Sequence, residues 1–263
     1  MNSRAAFLFG YFRAVATIDL NSDLGEGAGT ESAIMPLITS ANIACGAHAG
    51  DERSMRAAIT LAKANRVAVG AHPGYRDPAN FGRKALEIPA DELVADLVSQ
   101  IGTLIAIASS ERVAVAHVKA HGALYNTAQR DETVAASIVR AVGQSAPGLI
   151  LFVFPGSAVE RAARAAGLRV AREGFIDRTY EPDGSLRSRA LEHSLITDPA
   201  RAAAQALSFM VDGGVRAHDG TFLEQAVDTL CVHGDTPGAP NLLRAARAAL
   251  VSAGIRVERL QAA

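Results

Sequence analysis

Seven short, almost wholly apolar runs punctuate this chain, and longer alanine-rich stretches separate them. The runs are Ala16–Leu20, Ala41–Cys45, Val67–Ala71, Val113–Val118, Leu149–Phe154, Leu168–Arg172 and Thr229–His233. A strand buried on both faces reads as a continuous apolar run, the pattern of a parallel sheet covered by helices. The alternation therefore predicts βα units. A chain of 263 residues accommodates them as one (β/α) barrel. The expected organisation is a single barrel domain over residues 17–263, with an N-terminal extension over residues 1–16.

The intervening helices carry their own punctuation. Ser157-Ala158-Val159-Glu160 reads as a capping box, and Gly167 stops that helix. Asp198-Pro199 opens another helix, which Gly213-Gly214 closes. Leu93, Leu97, Ile101, Leu104, Ile105 and Ala108 form a stripe at helical spacing after Pro89, read as core packing.

The 26 basic and 27 acidic residues nearly cancel, and no basic stripe points to nucleic acid. Cys45 and Cys231 are the only cysteines. Both lie in buried-strand runs, so free thiols in a reducing, cytoplasmic compartment are expected. No uninterrupted apolar run approaches the roughly 18 residues of a membrane span, so no membrane association is expected. Arg4, the apolar stretch of residues 5–12 and Ala14-Val15-Ala16 loosely resemble a secretory signal. Arg13 interrupts that pattern, and a short extension or a misassigned start codon is the plainer reading.

Four histidines share one local context: an apolar run, the histidine, then a glycine at once or soon after. They are His48 in Cys45-Gly46-Ala47-His48-Ala49-Gly50, His72 in Val69-Gly70-Ala71-His72-Pro73-Gly74, His121 in Val118-Lys119-Ala120-His121-Gly122, and His233 in Cys231-Val232-His233-Gly234. Barrel enzymes gather their reactive groups at the C-terminal ends of the strands, so these four are expected at one mouth. The first strand continues through Asp19, Asn21 and Asp23, which period-two alternation places on one side. Polar groups leaving a buried strand together need a polar pocket, a cation or a proton to move. Asp23, His48 and His72 make a candidate His/His/carboxylate set for a divalent metal ion. Metal-free acid–base use of the same residues is the alternative.

Lys119 lies two residues before His121, so both point the same way. It can hold a substrate carboxylate or stabilise an oxyanion, or pair with Asp19 or Glu173. His193 and His218 lack the strand–glycine context and read as loop residues. His117 is expected to point toward the helices or to pack structurally. The segments from His72 to Pro89 and from Glu173 to Leu191 follow strand ends. Their Arg83, Asp177, Arg178, Arg187 and Arg189 suit a lid or substrate clamp. Neither a phosphate loop nor a G-x-S-x-G elbow occurs, and Gly25-Glu26-Gly27-Ala28-Gly29 carries an acid where a phosphate cradle needs a lysine.

In these segments the chain resembles the LamB/YcsF family. The matching stretches are Ile18-Asp19-Leu20-Asn21-Ser22-Asp23-Leu24-Gly25-Glu26, Ser40–Gly46 with His48–Asp51, Gly70-Ala71-His72-Pro73, Phe81-Gly82-Arg83, Lys119 with His121–Asn126, Asp177-Arg178 with Tyr180, and Asp228–Pro237. Together they span nearly everything from Thr17 to about Val257. Three departures stand out: Ala120 in place of the usual proline, Pro78-Ala79-Asn80 before Phe81, and the extension before Thr17.

The resemblance implies a seven-stranded (β/α) barrel of the glycoside hydrolase/deacetylase type. It implies ATP-dependent hydrolysis of 5-oxo-L-proline to L-glutamate, carried out with two partner subunits of a 5-oxoprolinase. Phosphorylating the lactam oxygen would make it a leaving group. On this reading Asp19, Asp23, His48, His72, Lys119 and His121 are the candidate catalytic residues. Asn21, Glu26, Arg83, Arg178, His233 and Asp235 are the candidate substrate-binding residues. The rival readings are a metal-dependent deacetylase or carbohydrate hydrolase, and a non-catalytic binding subunit.

Overall fold

A computed structural model describes residues 16–261. The expected N-terminal extension therefore lies, apart from Ala16, outside the described residues. Seven strands run parallel and close on themselves: β1 (Thr17–Leu24), β2 (Ser40–Ala44), β3 (Ala68–His72), β4 (Val115–Lys119), β5 (Ile150–Val153), β6 (Arg169–Phe175) and, after a hairpin of β7 (Gly214–Arg216) and β8 (Phe222–Glu224), β9 (Thr229–Cys231). Closure comes from β9, which pairs with β6 on one side and β1 on the other. A two-residue strand, β10 (Arg256–Val257), extends the N-terminal end of β1. All seven apolar runs are barrel strands, within a few residues at their ends.

The outer layer is helical: α1 (Glu31–Ile34), α2 (Glu52–Asn65), α3 (Ala90–Ser110), α4 (Gly122–Thr127), α5 (Glu132–Ser145), α6 (Ala158–Ala165), α7 (Pro199–Leu207) and α8 (Ala239–Ser252). Neighbours pack side by side, α2 on α3, α3 on α5, α5 on α6 and α7 on α8. α3 is long and apolar enough, by length and composition, to cross a membrane. Here Leu93, Leu97, Ile101, Leu104 and Ala108 bury its stripe in the core.

Asp198 caps α7 as expected, accepting from the Ala200 N–H, and Gly213 closes that segment in the left-handed region at φ 76°. The expected capping box of α6 is half formed. Ser157 Oγ accepts from the Glu160 N–H, but Glu160 accepts from the Gly156 N–H. The Ser157 N–H is already given to the Phe154 carbonyl.

The barrel interior is polar over much of its height. Asp19 lies low, level with Thr229 at the start of β9, and accepts from the hydroxyls of Thr39, Ser40 and Thr229. Above it Asn21 donates to Thr229 Oγ1, and Asn42 donates to Asn21 Oδ1 and Asp23 Oδ1. His117 contributes to this ladder, its Nε2 lying 2.8 Å from Asn42 Oδ1 and its ring stacked on Phe152. It points inward, with Lys119, rather than toward the helices, because residues two apart share a strand face. Ile150, Phe152 and Ala171 form a small apolar group beneath, with Leu260 packed against it.

Candidate active site at the barrel mouth

The strand ends deliver two linked clusters. The first centres on Lys119 at the end of β4. Its ammonium donates to Asp23 Oδ1 (2.9 Å) and Cys231 Sγ (3.1 Å), and lies 2.8 Å from Glu173 Oε1. The Glu173 contact is a buried ion pair. Burial acts against the lysine's charge, but Asp23, Cys231 and Glu173 hold it well above its ordinary pKa. Burial likewise acts to raise the Asp23 carboxyl, and His72 and Lys119 outweigh it, holding Asp23 well below the usual carboxylate range. A permanent cation therefore sits at the floor of the mouth. Both cysteines are buried free thiols, as expected.

The second cluster gathers three imidazoles round Glu26. Its Oε1 lies 3.1 Å from His48 Nε2, 3.1 Å from His121 Nδ1 and 3.5 Å from His72 Nε2. His48 and His121 stack in parallel at 3.7 Å, and His72 meets both edge-on. Burial takes the His48 imidazole down to about 4 and lowers His121 too. Burial also acts to lower His72, but Asp23 and Glu26 reverse it and leave it raised. These four residues form a group able to hold a metal ion.

His233 completes the mouth. Asp177 accepts from the His233 backbone N–H and lies 3.0 Å from its Nδ1, and the Thr236 hydroxyl donates to the same carboxylate. Burial would raise the Asp177 carboxyl, but His233 and Thr236 bring it down to about 2. With Nδ1 as the donor, His233 Nε2 is left facing Asp23 Oδ2 at 4.0 Å. The ring stacks on Phe175.

A cavity of about 410 Å³ opens over these groups, lined by Asp23, His72, Lys119, His121, Tyr125 and His233, with Arg83, Arg178 and Arg189 at its wall. The size suits a small metabolite. Arg178 is buried, and its guanidinium donates to the carbonyls of Ser194 and Arg187. It has no acidic partner among the described residues. Burial first, then Arg189, lowers it to about 10. Arg83 and Arg189 both reach Asp235. Asp235 thus ties the loop after β3 to the segment after β6 instead of facing the cavity.

The sequence-predicted residues separate accordingly. Asp23, His72, Lys119, His121, His233, Arg83 and Arg178 share the cavity, while His48 and Glu26 stand behind its wall. Asp19 and Asn21 lie lower in the barrel, away from the mouth. Of the predicted metal set Asp23, His48 and His72, the two histidines group with Glu26 and His121, while Asp23 accepts from Lys119 through Oδ1 and keeps Oδ2 3.4 Å from His72 Nε2. The sequence suggests Glu173 only as a partner for the lysine, and Asp177 only as part of a lid. Asp177 carries a usable signal, since an acid just past one strand end can meet a histidine just past the neighbouring one. His193 and His218 are exposed loop residues, as expected, and His218 pairs with Glu181.

A closed parallel (β/α) barrel with its acids, bases and buried cation at the C-terminal strand ends defines the class, a barrel built to carry chemistry at its mouth. The chain belongs to the LamB/YcsF family, whose model matches residues 18–263. It is 49% identical over 248 residues to a 5-oxoprolinase subunit of Symbiobacterium thermophilum, covering 92% of this chain and 95% of that protein. It is 47% identical over 250 residues to the corresponding 5-oxoprolinase subunit of Chloroflexus aurantiacus, covering 93% and 99%. The crystal structure of a lactam utilization protein from Thermus thermophilus superposes with a TM-score of 0.86 at 44% identity, covering 93% of this chain and 100% of that one.

Proposed function

We propose that this chain hydrolyses 5-oxo-L-proline to L-glutamate at the barrel mouth, in an ATP-dependent reaction carried out with two partner subunits in the cytoplasm. The names of its relatives supply the substrate class and the subunit role. The observation that carries the chemistry is the convergence of Lys119, Asp23 and His233 on one cavity. His233 Nε2 and Asp23 Oδ2 stand 4.0 Å apart, a gap that one water can bridge. His233, oriented by Asp177, takes a proton from that water as it attacks the lactam carbon. Lys119 stabilises negative charge developing on the lactam oxygen. Arg178, with no acidic partner among the described residues, receives the substrate carboxylate or phosphoryl oxygens. ATP supplies the phosphoryl group for the lactam oxygen. After water adds to the carbon, the ring C–N bond breaks with the nitrogen leaving as a protonated amine, and a second water releases phosphate from the resulting acyl phosphate to give glutamate.

The test is glutamate release from 5-oxoproline, with and without ATP, by the chain alone and co-expressed with its partner subunits. ATP-dependent release that requires the partners is expected. No release under any of these conditions overturns the reading. The histidine–glutamate cluster favours a second reading, metal-dependent hydrolysis without ATP. ATP-independent turnover of an acetylated sugar would select it.

A further inference from the structure

We propose that Glu26, His72 and His121 bind one divalent transition-metal ion of the zinc and cobalt class, centred apart from the Lys119 ammonium, with His48 bonded to Glu26 behind them. Binding of this ion does not depend on which reaction the barrel performs.

Three observations point to it. The first is donor spacing. An ion 2.0–2.1 Å from each donor sets neighbouring donors about 2.8–3.4 Å apart, between octahedral and tetrahedral angles. The donor atoms here are 3.0 Å apart for His72 Nε2 and His121 Nδ1, 3.1 Å for His121 Nδ1 and Glu26 Oε1, and 3.5 Å for His72 Nε2 and Glu26 Oε1.

The second is hydrogen-bond polarity. His72 Nδ1 lies 2.8 Å from the Lys119 carbonyl and His121 Nε2 lies 2.9 Å from the Phe81 carbonyl. A carbonyl only accepts, so each of these nitrogens carries the hydrogen. The lone pair of His121 Nδ1 is then turned on His72 Nε2 and on Glu26 Oε1, while His72 Nε2 faces Asp23 Oδ2 at 3.4 Å and Glu26 Oε1 at 3.5 Å. One shared proton relieves one of these contacts, whereas an ion relieves all of them. Backbone carbonyls that fix the outer nitrogens of ligating histidines are a recurring support of metal sites.

The third is packing. A Cβ on Gly82 would stand 2.7 Å from His48 Cβ and 3.0 Å from His121 Cδ2, and one on Gly74 would stand 2.9 Å from His48 Nδ1. Bare glycine backbone therefore clamps His48 parallel to His121 at 3.7 Å, which fixes the His121 ring for the ion and leaves His48 Nε2 to hold Glu26.

The donor set selects the ion. Two imidazoles and one carboxylate suit zinc-like ions, whereas magnesium and calcium favour oxygen ligands. A second group that offers metal-binding atoms, Asp23, Cys231 and His233, is already served by a cation, because the Lys119 ammonium bonds both Asp23 and Cys231. His72 and His121 also line the cavity, so the ion would have one side open to it.

The test uses the full chain, freed of metal with a chelator. Zinc is titrated calorimetrically, and cobalt(II) is followed by its visible absorption. One equivalent should bind. Asp23→Asn should retain that equivalent, while Glu26→Gln and His121→Ala should each weaken binding by about 100-fold or more. Thermal melting of the metal-free variants establishes that they fold, and wild-type melting should rise with added zinc. No saturable binding by the wild-type chain overturns the proposal. So does wild-type affinity in a folded His121→Ala variant, or loss of the ion in Asp23→Asn alone.

Discussion

Lys119 Nζ lies 2.8 Å from Glu173 Oε1, and both side chains are sealed from solvent. Asp23 holds the same ammonium from β1, so one cation separates two buried carboxylates. Replacing it with an apolar residue of similar length leaves the two acids facing each other unpaired. Breaking a buried pair in this way costs about 3–5 kcal/mol. Lys119→Met is expected to lose stability in that range and to abolish turnover. Glu173→Gln should cost less, because Asp23 still pairs with the lysine. Urea denaturation of the two variants checks the order.

Asp19 gives a pH signature of opposite sign to most acids. Burial outweighs its hydroxyl partners and raises its carboxyl from 3.8 to about 6. Between those values the folded state binds more protons than the unfolded one, so this group's contribution to stability falls as pH rises from about 4 to 6. The loss is on the order of 3 kcal/mol. Asp19→Asn should remove that slope and be the more stable protein above pH 6. Denaturation midpoints of both proteins across pH 4–8 isolate the difference, and parallel curves would contradict it.

Asp177 is expected to matter through His233 rather than through substrate contact. Asp177→Asn can present an amide to Nδ1 and so favour the tautomer with its hydrogen on Nε2, the wrong one for a base facing Asp23. Turnover in the assembled complex should fall by about 10²–10⁴-fold with little change in KM. The native carboxylate, brought down to about 2, contributes stability above its ordinary 3.8 that is lost as pH falls toward 2. The wild-type protein should therefore lose an acid-side increment that the variant lacks.

Gly70 faces the interior ladder, where an added Cβ would stand 2.0 Å from His117 Nε2. Gly70→Ala must push His117 off Asn42 or shift β3. Overpacking of this kind costs about 3 kcal/mol. A melting temperature like that of the wild type would show that the barrel yields more easily than its hydrogen bonds suggest.

The seven strands are legible in the sequence because a strand covered on both faces has to be apolar along its length, and that demand is local. The histidines are legible as a set because each repeats one strand–histidine–glycine context. The polar interior is not. Asn42 and His117 sit inside runs that read as apolar strand, and Glu173 follows an arginine on β6. Each is buried because it meets a partner from another strand, and no single run records that pairing.

Asp19 and Asp23 show where sequence reading stops and folding decides. Alternation puts them on one side of β1, as found. It cannot tell that four residues at about 3.3 Å each separate them by about 13 Å along the barrel, one near the floor and one at the mouth. Local pattern in the chain settles which segments are strands, that Asp19, Asn21 and Asp23 share one face, and that four histidines stand at strand ends. The closed barrel alone settles which charges meet: Lys119 reaches across from β4 to claim Asp23, and Glu26 is left among His48, His72 and His121. Buried charge must be matched at contact distance, and contact between residues nearly a hundred positions apart is set by how the strands close, not by any local run.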